Sequence, residues 1–206
     1  MHKIDVEQGS LEWHRHRQGK VTGTTLKSAL GSPKVQETLM YKIIAERMTE
    51  PQISDLSSSA VTRGREIEPI ARRAVMAETG INFIETGMLV SDDIDDFAFS
   101  PDSIFEDESG KVIGGLEIKC PDSKKHIEYC IKGTLPKDYV DQVKAPFLMS
   151  DDIEWWYFAS FDDRSYELPL FLLKITRSDW KTINDDREKL REFVASVAKQ
   201  HAEITF

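Results

Sequence analysis

The chain has 206 residues, 40% of them hydrophobic and 31% charged, which is the composition of a globular protein long enough for one domain with a substantial core. No stretch approaches the roughly 20 apolar residues of a membrane-spanning helix, and residues 1–18 contain no apolar run that could serve as a secretion signal. The formal net charge of −9 argues against a nucleic-acid partner, because phosphate-binding proteins are usually basic. Residues 13–36 nevertheless carry five Lys or Arg and no acid, which predicts a local basic surface on an acidic body.

The cysteine content favours a reducing compartment. Cys120 and Cys130 are the two cysteines of the chain, and their ten-residue spacing matches no zinc-binding pattern. Two cysteines in a chain of this size, without an export signal, predict reduced thiols. The expected location is therefore the cytoplasm, without membrane association.

The first part of the chain has the periodicity of helices. Residues 34–48 carry apolar side chains at helical spacing. Residues 51–59 are the best candidate for a long loop. A long helix is predicted over residues 59–79, where apolar side chains recur on one face and Gly80 provides a stop.

The periodicity then changes to that of strands, which are rich in β-branched and aromatic residues. Strands are predicted at 83–90, 97–100, 112–119, 154–161 and 168–175. Further helices are predicted at 123–131, 136–148 and 178–199, the second of them with a proline suited to its first turn. This order predicts a single domain, residues 1–206, of the α/β or α+β class, in which a central mixed β-sheet is flanked by helices.

The stretch that carries chemistry runs from Asp102 to Lys119. Glu117 and Lys119 lie two residues apart in a predicted strand, so both side chains emerge on one face, and Ile118 points to the opposite face, which suggests that the sheet is covered there. A hairpin-like turn at 107–110 returns the chain toward Asp102. Two carboxylates from adjacent strands suit a hard divalent cation such as Mg²⁺, and a lysine beside the metal can orient or deprotonate the attacking water.

A cross-strand ion pair on a solvent-facing strand is the ordinary explanation for a Glu-x-Lys sequence. Here Glu117 and Lys119 lie in an apolar run, where ionisable side chains are costly unless they are paired or bound to metal. That context favours the catalytic interpretation. Glu68, near the start of the long helix, is a third candidate carboxylate, for which a solvated helical position is the alternative.

The basic N-terminal segment contains a second candidate site. Residues 13–25 end in hydroxyl side chains that can cap a helix beginning near Thr24. Helix N-termini bind phosphate readily, and an arginine such as Arg17 can add a bidentate clamp. The alternative is that Thr24 is only a helix cap and Arg17 only a surface charge.

Six short segments together resemble the lambda exonuclease group of phage-type alkaline exonucleases, within the PD-(D/E)-x-K nuclease superfamily. Each segment is weakly diagnostic by itself, but all six occur in the family's order over about residues 10–180. The matching segments are Trp13-His14 with Arg17-x-Gly19 and Val21-Thr22; Gly64 to Glu68; Ser100-Pro101-Asp102; Leu116-Glu117-Ile118-Lys119-Cys120-Pro121; Tyr139 with Gln142-Val143; and Trp156-Tyr157-Phe158-Ala159.

The resemblance implies a restriction-endonuclease-like core. It also implies a ring-shaped homotrimer threaded by DNA, and processive 5′-to-3′ digestion of one strand that leaves a 3′ single-stranded tail for an annealing protein. The homotrimer rests on the resemblance alone. The aromatic run 155–158 is compatible with it, because such a run is buried on both faces, either by the core of the same chain or by a neighbouring subunit.

The resemblance also implies roles for individual residues. Asp102 and Glu117 correspond to the carboxylates that bind Mg²⁺, or Mn²⁺ as a substitute, with the backbone carbonyl of Ile118 as a further ligand. Lys119 corresponds to the catalytic lysine. Glu68 corresponds to a carboxylate that helps to hold a second metal ion or its waters.

Further implied roles concern DNA and the attacking water. Gln142 corresponds to a glutamine near the nucleophilic water, and Lys125 takes the place of an arginine near the scissile phosphate. Thr24 departs from a more familiar serine in the 5′-phosphate pocket; the hydroxyl for the contact is retained, but the resemblance does not fix the shape of the pocket. The implied contacts to DNA and its 5′-phosphate are Arg17, Thr24, Ser100, Lys125 and Tyr139.

The resulting hypothesis is a Mg²⁺-dependent exodeoxyribonuclease that digests linear duplex DNA from a 5′ end and releases 5′-mononucleotides. A junction-resolvase-like endonuclease would share Asp102, Glu117 and Lys119 but would need no 5′-phosphate pocket. A catalytically inactive DNA-binding protein would keep only the shape, and the intact carboxylates and lysine argue against it. A third alternative makes recruitment of a recombination partner the main role and digestion secondary.

Overall fold

The computed structural model describes residues 1–51 and 59–205, so the predicted loop at 51–59 lies almost entirely outside the described residues. Seven α-helices and eight strands are formed within these residues. In chain order they are β1 (His2–Ile4), α1 (Leu11–Arg17), β2 (Val21–Thr22), α2 (Leu26–Ala29), α3 (Pro33–Arg47), α4 (Ser59–Thr79), β3 (Met88–Val90), β4 (Phe97–Phe99), β5 (Ser103–Glu106), β6 (Val112–Lys119), α5 (Ser123–Lys132), α6 (Val140–Met149), β7 (Trp155–Phe161), β8 (Leu170–Thr176) and α7 (Ile183–Ile204).

The strands form two four-stranded mixed sheets rather than one. The first has the order β1-β3-β4-β2, in which only β2 and β4 run parallel. The second has the order β5-β6-β7-β8, in which only β6 and β7 run parallel. An isolated bridge between Ile84 and Ile104 joins the two regions. The predicted α/β class with a mixed sheet is confirmed, and its strands are divided over two sheets.

Several predicted boundaries agree closely with the structure, and others shift for local reasons. The helix over 59–79 and the strand over 112–119 have the predicted bounds. The strand predicted at 83–90 is regular only over Met88–Val90. The helix predicted from 136 begins at Val140, because the chain first makes a turn in which the Tyr139 N–H donates to the Pro136 carbonyl. The closing helix predicted at 178–199 begins at Ile183, after a 3₁₀ turn.

Apolar side chains cover both faces of the second sheet. Leu116 and Ile118 of β6 pack in a cluster with Ile67 and Ala71 of α4, so the face behind Glu117 and Lys119 is covered, as predicted. The aromatic run in β7 alternates between the two faces, with Trp156 and Phe158 in one cluster and Trp155 and Tyr157 beside the other. Packing within the chain therefore accounts for both faces of that run. No helix in the described part of the chain is long and apolar enough to cross a membrane.

Gly115 in the middle of β6 is required by close packing. A Cβ atom at this position would lie 2.2 Å from Cη2 of Trp156, a fully buried side chain that has no room to move. Gly64, inside α4, is the opposite case, because a Cβ there meets no atom within 4 Å. The two glycines therefore provide a matched pair for testing the packing of the sheet.

We expect Gly115→Ala to lower the free energy of unfolding by about 1–3 kcal/mol, because overpacking forces Trp156 and β6 apart. Gly64→Ala should raise it by up to about 1 kcal/mol, since alanine has the higher helix propensity. Urea denaturation of both variants measures these changes. Equal shifts of the same sign would contradict this account of the sheet.

Candidate active site

The end of β6 carries the first two predicted catalytic side chains on one face. Lys119 and Glu117 form an ion pair there, in which the ammonium donates to Oε1 of Glu117. Glu117 is 2% exposed, and its second carboxylate oxygen, Oε2, is buried without a hydrogen-bond partner among the described residues. A buried charged oxygen without a partner is costly, so this atom indicates a site prepared for a cation or a proton.

Asp102 reaches the same strand from the short connection between β4 and β5. Its carboxylate accepts a hydrogen bond from the backbone N–H of Ile118, which lies between Glu117 and Lys119 on β6. The pairing of Ser103 with Leu116 in the antiparallel β5–β6 ladder holds Asp102 at this position. The turn predicted at 107–110 closes this hairpin, with the Gly110 N–H donating to the Asp107 carbonyl.

Glu68 approaches from α4 and is held there by an arginine that the sequence analysis did not single out. Nη2 of Arg72 donates to Oε1 of Glu68 at 2.8 Å and to the backbone carbonyl of Asp102 at 3.2 Å. Its other terminal nitrogen donates to Glu85. The spacing of four residues between Glu68 and Arg72, which places them on one helical face, was the available signal.

Burial raises the pKa of all three carboxyl groups. The pKa of Glu68 is raised to about 7, chiefly by burial and next by the negative charge of Asp102, against the opposing charge of Arg72. Burial likewise raises the pKa of Glu117 to about 7, against the attraction of Lys119. Burial also raises the pKa of Asp102, against the nearby charge of Lys119. Three carboxylates that resist ionisation together are electrostatically suited to bind a cation.

Lys119 stays charged in this environment. Burial works against the ammonium form, but the combined attraction of Glu117 and Asp102 is greater, and the pKa of Lys119 is raised. Its ammonium nitrogen also lies 5.3 Å from the ring centroid of Tyr139, within the range of a cation–π interaction. The geometry therefore favours a protonated Lys119 that acts through its charge.

The three carboxylates fit a divalent cation, although each of them is hydrogen-bonded to another group of the same chain. Within the described residues, no three His, Cys, Asp or Glu side chains already form a metal-binding group. The reason is that Glu117 pairs with Lys119, Glu68 pairs with Arg72, and Asp102 accepts from a backbone N–H. The unpartnered oxygen of Glu117 and the raised carboxyl pKa values support the fit, with Asp102, Glu117 and the Ile118 carbonyl as candidate ligands.

Helix α6 contributes two further candidates at its start. Tyr139 stacks on Phe158, with ring centroids 5.3 Å apart, and this contact places its ring beside Lys119. Gln142 lies three residues further along, half-buried, and no hydrogen bond joins it to the carboxylates. The structure thus brings Tyr139 to the site and leaves Gln142 on the adjoining turn.

Two tyrosine rings, those of Tyr129 and Tyr139, separate Lys125 from Lys119. The ammonium nitrogen of Lys125 is 5.4 Å from the ring centroid of Tyr129 and 3.4 Å from Oε2 of Glu128. Tyr129 in turn meets Tyr139 edge to face, with centroids 6.3 Å apart. Lys125 is half-exposed on α5, so it borders the site without touching the carboxylates.

A second cluster forms around Ser100, two residues before Asp102. The hydroxyl of Ser100 accepts from Nη1 of Arg17 at 3.1 Å and from the indole N–H of Trp13 at 2.9 Å. The Arg17 guanidinium carbon lies 4.3 Å from the centroid of the Trp13 ring. Burial lowers the pKa of Arg17, and within the described residues no carboxylate pairs with it. The cluster therefore presents a fixed positive charge that has no ion-pair partner among the described residues and is balanced only in part, by the more distant charge of Glu46.

Thr24 does not join this cluster directly. Its hydroxyl lies 3.0 Å from that of Thr22, and its side chain is exposed. The link to Ser100 runs through the sheet, since Thr22 of β2 pairs with Ala98 of β4. The helix predicted to begin near Thr24 begins at Leu26 and spans only four residues. Trp13, which the sequence analysis matched as part of a segment without assigning a role, contacts both Arg17 and Ser100.

Because the carboxyl pKa values are raised, the stability of the metal-free protein should depend on pH. Below about pH 4.5, Glu68 and Glu117 are protonated in both the folded and the unfolded state. Between about pH 4.5 and pH 7 the unfolded state releases these protons before the folded state does. The free energy of unfolding therefore falls as the pH rises through this range.

We therefore expect excess Mg²⁺ to raise the melting temperature more at about pH 8 than at about pH 5.5, because a cation removes the repulsion only where the carboxylates are ionised. Thermal denaturation at both pH values measures the effect, with Glu117→Gln as the control that should reduce it. A magnesium shift of the same size at both pH values would contradict the electrostatic account.

Several solved structures of exonucleases are similar to this protein. The alkaline exonuclease LHK-Exo from Laribacter hongkongensis matches with a TM-score of 0.82 and 28% identity, over 95% of this chain and 96% of that chain. LHK-Exo in complex with dAMP matches with a TM-score of 0.82 and 29% identity, over the same shares. A phage-related exonuclease from Haemophilus somnus 129PT, 13% identical with a TM-score of 0.64 over 89% of this chain and 95% of that chain, shares the fold.

The match to a protein family covers most of the chain. A search among curated proteins found no match. Residues 12–151 match the YqaJ-like viral recombinase domain, and this range includes both the Ser100 cluster and the carboxylate site. The resemblance to phage-type alkaline exonucleases is thereby confirmed. The chain belongs to the YqaJ-like viral recombinase domain family.

Proposed function

We propose that this protein is a Mg²⁺-dependent exonuclease that degrades one strand of linear double-stranded DNA in the 5′-to-3′ direction. It releases 5′-mononucleotides and leaves a 3′ single-stranded tail. The exonuclease assignment is supported by the family and by the similarity to LHK-Exo. The observation that carries the proposal is the convergence of Glu68, Asp102 and Glu117 around Lys119, with pKa values that favour cation binding.

Asp102 and Glu117 are the proposed ligands of Mg²⁺, with the Ile118 carbonyl, and Mn²⁺ is a substitute cation. Bound Mg²⁺ supplies Lewis-acid chemistry, polarising a phosphoryl oxygen and lowering the pKa of water. Oε2 of Glu117 is available for ligation without breaking any hydrogen bond. The Asp102 carboxylate is oriented toward β6 by the Ile118 N–H, which leaves its remaining lone pairs for the cation.

Lys119 stabilises the negative charge that develops on the scissile phosphate. Its raised pKa keeps the ammonium protonated through neutral and moderately alkaline pH, so the electrostatic role is favoured over that of a neutral base. The Tyr139 ring limits the positions available to the ammonium. Gln142, on the next turn of α6, orients the attacking water in this proposal, and Lys125 contacts the DNA backbone from α5.

The 5′-terminal phosphate docks on the Ser100 cluster. Arg17 supplies a guanidinium that is already stacked on Trp13, so little side-chain freedom is lost when it binds phosphate. Ser100 supplies a hydroxyl and Thr24 a second one at the rim. Because only Pro101 separates Ser100 from Asp102, the docked end and the carboxylates are held in a fixed relation by rigid chain.

The proposed location, assembly and partner of the protein rest on the family resemblance. We propose that the functional unit is one nuclease domain, residues 1–206, in the cytoplasm, assembled as a ring-shaped homotrimer through which duplex DNA passes. Its biological partner is a single-strand annealing protein that receives the 3′ tail. The basic N-terminal segment and the acidic remainder fit an enzyme that must hold a phosphodiester while continuing to move.

The test is to incubate the protein and Mg²⁺ with three DNA substrates: linear duplex with a 5′-phosphate, the same duplex with a 5′-hydroxyl, and a covalently closed circle. We expect rapid release of mononucleotides from the first, slow release from the second and none from the third. Cleavage of the circle would instead favour an endonuclease, and inertness toward all three would favour an inactive DNA-binding protein.

Two variants locate the activity within the chain. Glu117→Gln should abolish digestion of every substrate while leaving the fold intact. Arg17→Lys should slow the 5′-phosphorylated duplex and reduce its advantage over the 5′-hydroxyl duplex, because lysine lacks the planar fork and the stacking on Trp13. An unchanged phosphate preference in Arg17→Lys would rule out the Ser100 cluster as the docking site.

A further inference from the structure

Arg72 is a buried cation beside the carboxylate cluster, on the side of Glu68 and the Asp102 backbone. It lies on α4, one turn after Glu68, and is only 9% exposed. Its guanidinium joins three separate segments: Glu68 of the same helix, the backbone carbonyl of Asp102, and Glu85 before β3. The next residue, Arg73, is exposed and makes no ion pair within the described residues.

Burying an arginine is costly unless its donors are satisfied and its charge is balanced. The cost is visible here, because Nε of Arg72 is buried without a hydrogen-bond partner among the described residues. The two bonds from Nη2 nevertheless hold the Glu68 carboxylate and the Asp102 turn on a single planar group. A side chain placed at such cost between two candidate ligand segments points to a role in the site.

The direction of the Glu68 carboxylate is the property that Arg72 controls. Oε1 of each acid is held by a cation, that of Glu68 by Arg72 and that of Glu117 by Lys119. Arg72 also donates to the Asp102 carbonyl and to Glu85, so Glu68 is restrained by a cation that is itself held in place by two other segments. A guanidinium also supplies a fixed positive charge, which reduces the repulsion between Glu68 and Asp102.

We propose that Arg72 is a positioning residue that holds Glu68 back from direct ligation of the cation and fixes the turn that carries Asp102. Glu68 then acts on the outer side of the site, through water or charge, instead of as a direct ligand. The inference rests on the proposed cation at Asp102 and Glu117. It predicts that removing Arg72 strengthens cation binding and weakens catalysis, whereas a merely structural role would weaken both.

The test compares Mn²⁺ binding to the full chain by isothermal titration calorimetry with the turnover of 5′-phosphorylated duplex. In Arg72→Gln we expect Mn²⁺ to bind more tightly than in the wild type, because the released Glu68 becomes an additional ligand. The turnover number should fall by about 10- to 100-fold, as for other residues that orient metal ligands. In the double variant Arg72→Gln with Glu68→Gln, the gain in affinity should disappear.

Two further variants separate positioning from charge and from folding. Arg73→Gln removes the same charge from the neighbouring exposed position and should leave both readouts unchanged. Arg72→Lys keeps the charge but loses the planar fork, so it should bind Mn²⁺ more tightly than the wild type by a smaller factor than Arg72→Gln. If circular dichroism shows that Arg72→Gln does not fold, Arg72→Lys replaces it in the comparison with the wild type.

Each outcome decides between the inference and the proposed function. Unchanged or weaker Mn²⁺ binding in Arg72→Gln, with an active wild type, overturns the role of Arg72 and leaves the exonuclease proposal standing. Tighter binding in Arg72→Gln with a wild type that digests no DNA supports the role of Arg72 and overturns the exonuclease proposal. Failure of every form to bind Mn²⁺ contradicts both.

Discussion

Three acidic side chains, a buried Glu117 and the partly exposed Glu68 and Asp102, interact near the end of β6, and the surrounding structure offsets their mutual repulsion. Burial and the neighbouring negative charges raise the pKa of Glu68 and Glu117 to about 7. Lys119 and Arg72 provide the compensating positive charges from within the fold. Such an arrangement is unfavourable for the stability of the metal-free chain, and proteins retain it where function requires a cation or a proton. The stability and the chemistry of this protein are therefore linked through the same few charges.

The fold brings these charges together through β6 and the segment that precedes β5. Strand β6 lies between antiparallel β5 and parallel β7, so its position is fixed from both sides. Helix α4 covers the face opposite Glu117 and delivers Glu68 to the rim. The segment from Ser100 to Asp102 belongs to both sites, because its first residue meets Arg17 and its last meets β6. In the proposed function, this segment couples recognition of the DNA end to the chemistry through a short rigid connection.

Sequence periodicity was sufficient for the long elements and for the shared face of Glu117 and Lys119. The two-residue spacing of Glu117 and Lys119 in the strand Val112–Lys119 predicted their shared face, and the helical spacing predicted Ser59–Thr79. Short elements such as β1 and α1 escaped prediction, because three to seven residues carry too little periodicity. Arg72 and Trp13 were missed for another reason. Their importance depends on contacts with Asp102 and Ser100, which are distant in sequence and come together only when the two sheets form.

We propose that Asp102 and Glu117 form a cation-binding centre at the end of β6. Anomalous diffraction from crystals of the protein soaked in Mn²⁺ would locate the bound ion and identify its ligands. We expect an anomalous peak within ligand distance of the Asp102 and Glu117 carboxylates and the Ile118 carbonyl, and its loss in Glu117→Gln. A peak at other residues, or an empty carboxylate site at saturating Mn²⁺, would contradict it.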